Sequence, residues 1–148
     1  MLPMLSKLSL TFYTDSMPED VGGYAELMFV FIRKKYRDDA GIHRHEYEHV
    51  AQFWLAWAWF AVLVWLAVFI GEYPLDYLAI ALFGASVHPA LYMAVRPYRL
   101  HCEAAAYARQ WNGSSSDLVV MANRLMSKRY DLGLTFVSAQ LEISKHAR

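Results

Sequence analysis

The chain has 148 residues, of which 57% are apolar, 16% aromatic and 19% charged, with 14 Lys+Arg against 14 Asp+Glu. That length fits one domain, the low charge content excludes intrinsic disorder, and the even balance leaves no basic surplus for nucleic acid. A lone cysteine, Cys102, excludes an internal disulfide framework and any multi-cysteine zinc ribbon.

The opening MLPMLSKLSL lacks the long apolar core and small-residue cleavage site of a secretory signal, so no cleaved signal is expected. Residues 8–13, LSLTFY, read as a short strand. MPEDVGG follows as a turn-rich connection, with Pro18 and the pair Gly22-Gly23 as breakers. Residues 24–33, YAELMFVFIR, are rich in aromatic and β-branched side chains and read as a second strand. The polar KKYRDDAG is loop-like, and a helix is expected to begin near Ile42.

That helix runs into FWLAWAWFAVLVWLAVFI, residues 53–70, which contains no charged residue. After GEYPLD comes YLAIALFGASVHPALYMAV, residues 77–95, also without a formal charge apart from its histidine. Each approaches the roughly 20 residues that cross a bilayer core as a helix. The first is apolar all round and offers no wet face; the second, with Ser86, His88 and Pro89, is expected to kink or break. Two readings follow: a membrane hairpin, or a pair of helices buried against partner subunits. The flanks favour the hairpin, because Arg33, Lys34, Lys35, Arg37 and Arg44 precede it and Arg96 and Arg99 follow it. The connection carries only Glu72 and Asp76, so both termini are expected to be cytoplasmic and GEYPLD outside.

Residues 99–111, RLHCEAAAYARQW, have strong helix formers. NGSSSD breaks that helix, with Ser116 or Asp117 expected to cap the next, DLVVMANRLMSKRY. Thr135 is expected to cap a terminal helix through TFVSAQLEISKHA. The fold class expected is α+β and mostly helical, a single domain over 1–148 with an N-terminal hairpin or sheet and the apolar hairpin 53–95 inserted in it.

Chemistry enters at His45-Glu46-Tyr47-Glu48-His49, an HExxH sequence. Residues four apart share one helix face, so His45 and His49 can bind one Zn2+ ion while Glu46 acts on a water as general base. Catalytic zinc sites keep three protein ligands, and HEYEHVAQFWL has no third His at the metzincin spacing. Of the downstream glutamates, Glu72 sits at the far end of the hairpin and Glu103 just after its return. Going out from His49 to Gly71 as α-helix covers about 33 Å, and returning over residues 77–95 about 27 Å, so the hairpin brings Glu103 back to the level of His49. His45, His49 and Glu103 are therefore the expected metal ligands.

FVFIRKKYRDDAGIHRHEYEHVAQFW together with HPALYMAVRPYRLHCEAAAYARQ resembles small HExxH proteins encoded in tailed-bacteriophage and prophage genomes. These in turn resemble gluzincin-type zinc metallopeptidases. The resemblance covers residues 24–145 and implies a zincin-like core, with His45, His49 and Glu103 as ligands and Glu46 as base. It also implies that the strand before the active helix borders the cleft, where an extended peptide substrate can pair with its edge. Many gluzincins carry an acidic residue four positions after the ligand Glu, where this chain has Tyr107. Tyr47, Tyr98, Tyr107 and His101 are the candidate transition-state donors.

Other residues are set aside. His43 is expected on the surface or in a cap, His88 hydrogen-bonded at a kink, and His146 exposed. Cys102 is expected to be a small buried side chain, Arg96 and Arg99 to sit at the membrane interface or pair with Asp38 and Asp39. Trp54, Trp57 and Trp65 are expected in packing. The expected function is a membrane-associated zinc metallopeptidase. The alternative is a non-catalytic structural or assembly protein of a phage virion, partnering other virion proteins through its apolar hairpin, with oligomerisation open in both. A holin-like protein with an incidental HExxH fits the return of Glu103 poorly.

Overall fold

The computed structural model describes Leu5 and residues 7–147. The start of the chain, on which the expectation about a secretory signal rests, lies largely outside the described residues. The fold is mostly helical with a small sheet, as expected. Strands β1 (Leu10–Tyr13), β2 (Gly23–Glu26) and β3 (Phe29–Ile32) form one sheet in the order β1-β3-β2. β1 runs parallel to β3 and β2 antiparallel to it. The single strand expected over residues 24–33 is thus two, β2 and β3, joined by a tight turn at Leu27, whose φ is 56°. A non-glycine residue rarely takes that conformation, and no Asn-Gly or Asp-Gly pair marks the turn. The central strand shows the period-two pattern of a half-covered sheet. Val30 and Ile32 are fully buried, while Phe31 lies on the other face, stacked between Phe12 and Tyr24.

Arg33 fixes the loop between β1 and β2. Its Nε donates to the Val21 carbonyl at 3.1 Å and its Nη2 to those of Met17 and Pro18 at 2.9 and 2.6 Å. Helix α1 (Ala40–Ile70) starts where Asp39 accepts from the backbone N–H groups of Gly41 and Ile42, an N-cap that satisfies otherwise orphaned donors. Its first turns lie on the sheet, where Ile42 and Val50 pack with Val30 and Ile32. Over 31 residues it extends far past that core.

The chain turns at Gly71 and returns through a 3-10 helix, Leu75–Ser86, then α2 (Val87–Ala94). The expected break falls at that change of helix type. A 3-10 helix stacks every third residue, and here Leu78, Ala81 and Gly84 form the covered row. The small pair lets the Trp57 ring approach, and its Nε1 donates to the Ala81 carbonyl at 2.8 Å. The 3-10 rise of about 2.0 Å per residue also lengthens the return beyond the α-helical reckoning, so it matches the outward leg unaided.

By length and composition, Ala40–Ile70 and Leu75–Ala94 are both long and apolar enough to cross a membrane, with 17% and 6% of their most apolar windows buried. Trp59, Leu63, Phe69, Leu82 and Phe83 are all exposed. Helix α3 (Arg96–Gln110) begins immediately afterwards, with Pro97 in its first turn, three residues earlier than the run of helix formers indicated. Helices α4 (Ser115–Leu125) and α5 (Phe136–His146) pack on α3 through Ala104, Leu125, Ala139 and Ile143. Ser114, not Ser116 or Asp117, caps α4 by accepting from the Asp117 N–H, because the helix already starts at Ser115. Thr135 caps α5 as expected, in a reciprocal box with Ser138.

Candidate metal centre

His45 and His49 sit one turn apart on α1, and Glu103 faces them from α3. The two Nε2 atoms are 3.3 Å apart. Glu103 Oε1 is 3.5 Å from His49 Nε2 and Oε2 is 3.8 Å from His45 Nε2. Two ligands each about 2.0–2.1 Å from a tetrahedral ion stand about 3.3–3.4 Å apart, so this triangle is nearly the size a zinc ion requires. All three side chains are buried or nearly so, and Glu103 Oε2 has no hydrogen-bond partner among the described residues. A buried carboxylate oxygen without a donor is costly, and a cation between it and the imidazoles removes that cost. The donor set, two imidazoles and a carboxylate, suits zinc and other divalent transition ions.

A hydrogen-bond chain fixes the tautomer of His49. The carbonyl of Cys102 can only accept, so it orients the Gln52 amide, whose Nε2 donates to it at 3.1 Å. Gln52 Oε1 then accepts from His49 Nδ1 at 3.1 Å. The proton is therefore on Nδ1, and the Nε2 lone pair points at the cluster. Gln52 is the orienting group that the sequence did not reveal, although it lies one turn beyond His49 on the same helix face. Tyr92, from α2, donates its hydroxyl to Glu103 Oε1. Nothing in the apolar stretch set that tyrosine apart.

Burial drives the electrostatics. It holds the His45 imidazole well below its ordinary range, with His49 adding to the effect. It also pushes the Glu46 carboxyl up to about 7, a rise that His49 opposes and Glu103 reinforces. Glu46 packs against β2 so closely that a Cβ on Gly23 would lie 3.1 Å from its Oε1. The cluster opens on a cavity of about 830 Å³ lined by β2, by His45, Glu46 and His49, by His88 and Tyr92, and by Tyr107 and Tyr130. The β2–β3 register, extended by the Arg33 N–H donating to the Gly22 carbonyl, turns the backbone groups of Tyr24 and Glu26 toward β3. Those of Gly23 and Ala25 point to the outer edge, where no further strand pairs among the described residues.

Of the candidate donors, only Tyr107 lines this cavity; its ring centroid is 4.5 Å from that of His45 and its hydroxyl is 3.1 Å from that of Tyr130. Burial pushes the Tyr107 phenol up to about 12 and that of Tyr130 well above its usual range. Tyr47 instead faces the sheet, with its hydroxyl 3.2 Å from Thr11 Oγ1. Two residues after His45, it is turned about 200° away from the ligand face. The Tyr98 hydroxyl is taken by His88 Nδ1 at 2.8 Å, which bears out the hydrogen-bonded role of His88. His101, also two residues from a ligand, packs edge-on against His146 with ring centroids 4.7 Å apart, so His146 is half-buried and not exposed. His43 is half-buried, its Nε2 2.8 Å from the Arg37 carbonyl. Cys102 is fully buried, which pushes its thiol up to about 12. Arg99 pairs with neither Asp38 nor Asp39; its Nη2 donates to the Met93 carbonyl at 3.4 Å. Trp54 and Trp57 pack as expected, whereas Trp65 stacks on Phe69 while half of its surface stays exposed.

Neither the protein-family models nor the curated proteins match this sequence, and no solved structure matches its fold.

Proposed function

We propose that this chain is a membrane-anchored, zinc-dependent protein of metallopeptidase type, with His45, His49 and Glu103 as ligands and Glu46 as general base. One observation carries the reading above the rest: three ligand atoms from two separate helices converge with tetrahedral spacing on the wall of an open cavity. A closed structural site would have a fourth protein ligand; three ligands and a cavity leave a position for water or substrate. The family resemblance adds a zincin-like core and an origin in a phage or prophage.

Zinc bound there would supply Lewis acidity, making a neutral-pH nucleophile from water and drawing charge from a peptide carbonyl. The chain's own residues do the rest. Gln52 keeps His49 in the ligating tautomer, and Tyr92 holds the Glu103 carboxylate in place. Glu46 lines the same cavity one residue from His45; it takes the proton of the attacking water and returns it to the leaving amine. The Tyr107 and Tyr130 hydroxyls are the donors available to the developing oxyanion. The outer edge of β2 offers the Gly23 and Ala25 backbone groups to an extended peptide.

The apolar hairpin is the anchor. Large side chains such as Leu63, Phe69, Leu82 and Phe83 are 60–71% exposed, which water would not tolerate over two adjacent helices but lipid would. Both termini then face the cytoplasm, and the metal centre lies at the cytoplasmic membrane surface.

The test is metal content of detergent-purified full chain, prepared without chelators, beside a screen for cleavage of a peptide library. About one zinc per chain is expected, lost in His49→Ala and Glu103→Ala but kept in Glu46→Gln, which abolishes cleavage. A wild-type chain that takes up no zinc would overturn the reading. Zinc uptake with a Glu46→Gln variant that keeps full biological activity would favour the structural role in a virion.

A further inference from the structure

The cavity lining carries charges of both signs. The loop before β2 and the strand itself contribute Glu19, Asp20 and Glu26. Arg99 from α3, Arg124 from the last turn of α4 and Arg129 from the turn that follows contribute the cations. The chain as a whole is neutral, so three arginines lining one cavity are a local arrangement and not the spill-over of a basic protein. Among the described residues, the ion pairs engage Lys34, Arg109 and Lys145 and none of these three arginines. Arg99 Nε is buried and has no hydrogen-bond partner among the described residues, while its Nη2 donates to the Met93 carbonyl.

A guanidinium cannot shed its charge, so one that lines a cavity without a carboxylate counter-ion stays a donor seeking an anionic acceptor. The helix dipole explains why an arginine suits the end of α4 but not why it lacks a counter-ion. Carboxylates are what the fork geometry of arginine binds best, two parallel N–H groups to two oxygens. The arginines line the same cavity as His45, Glu46, His49 and Glu103.

We infer that Arg99, Arg124 and Arg129 form a subsite for a carboxylate group carried by the peptide that reaches the metal centre. The peptide as the carrier rests on the proposed function, while binding of the carboxylate itself does not require the metal. Substrates are thus peptides with an acidic side chain or a free C-terminus beside the bond that is cut.

The test compares succinate with its neutral diamide, succinamide, for binding to the full chain in neutral detergent, both zinc-loaded and after chelation. The chelated arm removes direct coordination of succinate by zinc. Succinate is expected to bind at least tenfold more tightly than succinamide in both arms, the gap shrinking at least fivefold in Arg124→Gln and in Arg129→Gln. Arg124→Lys, which keeps the charge, should retain part of the gap. Equal binding of the two probes overturns the inference, as does a gap that persists in a folded Arg124→Gln/Arg129→Gln double variant. Variants that alter only association with vesicles of anionic phospholipid, and not succinate binding, would assign the arginines to the membrane surface and overturn it as well. Zinc content of the same samples scores the metal reading separately: a chain without zinc that still shows the gap loses the peptidase and keeps the subsite.

Discussion

Gln52 joins the two halves of the candidate metal centre: its Oε1 accepts from His49 Nδ1, and its Nε2 donates to the carbonyl of Cys102, the residue before Glu103. One side chain thereby sets the tautomer of a ligand on α1 and the position of the turn that holds a ligand on α3. Gln52→Leu keeps the volume roughly and removes both bonds. Partners of this kind are worth about 10–100-fold in metal affinity. We expect a loss in that range, read by competition with a chromogenic chelator, with the helical content unchanged. Unaltered affinity would show that packing alone orients His49.

Tyr92 gives the only hydrogen bond that Glu103 receives from another side chain among the described residues, and Glu103 is 2% exposed. Tyr92→Phe leaves a buried carboxylate with no donor when the metal is absent, a cost of about 1.5–3 kcal/mol for a bond to a charged group. With a cation bound, the carboxylate keeps a strong partner and the cost is smaller. The variant should therefore lower the unfolding midpoint of the metal-free chain more than that of the zinc-loaded chain, so that zinc raises the midpoint by more than in the wild type. An equal drop in both states would mean that the hydroxyl serves packing, not the ligand.

The HEYEH pair was legible because a four-residue spacing fixes a shared helix face whatever the surroundings. Glu103 was legible because two helical legs of similar length must return to their starting level. The strand split at Leu27 was not, since a turn made by a left-handed leucine leaves no glycine or asparagine to announce it. Tyr92 was hidden because hydropathy counts a tyrosine as one more apolar residue of a span. Tyr47 and His101 point away from the cluster, because a step of two residues on a helix turns a side chain to the far face.

Gly84 is the contact point of the hairpin. A Cβ there would meet Trp57 Cδ1 at 2.2 Å and Phe60 Cδ1 at 2.8 Å. Gly84→Ala must displace the indole and break its bond to the Ala81 carbonyl, an overpacking cost of about 1–3 kcal/mol. Because the outward leg carries His49 and the return leg carries Tyr92, the donor to Glu103, zinc affinity should fall together with the unfolding midpoint. Ala85→Gly, beside it in sequence but outside the covered row, is the control. Loss of stability with intact zinc affinity would separate the hairpin from the site.

Leu63 lies near the middle of the apolar run of α1 and is 60% exposed. If the surrounding medium is lipid, a lysine there costs about 2.5–3.5 kcal/mol at the helix centre. If it is water, the lysine costs nothing and improves solubility. Membranes from cells expressing Leu63→Lys, washed with alkaline carbonate, distinguish the two: the wild type should stay in the pellet and the variant move substantially to the supernatant or be degraded. A lysine at exposed Val137 on α5, away from the hairpin, should leave the pellet fraction unchanged. A wild-type chain released by carbonate would mean that partner proteins, not lipid, cover the hairpin. The metal centre would then sit at a subunit interface instead of a membrane surface.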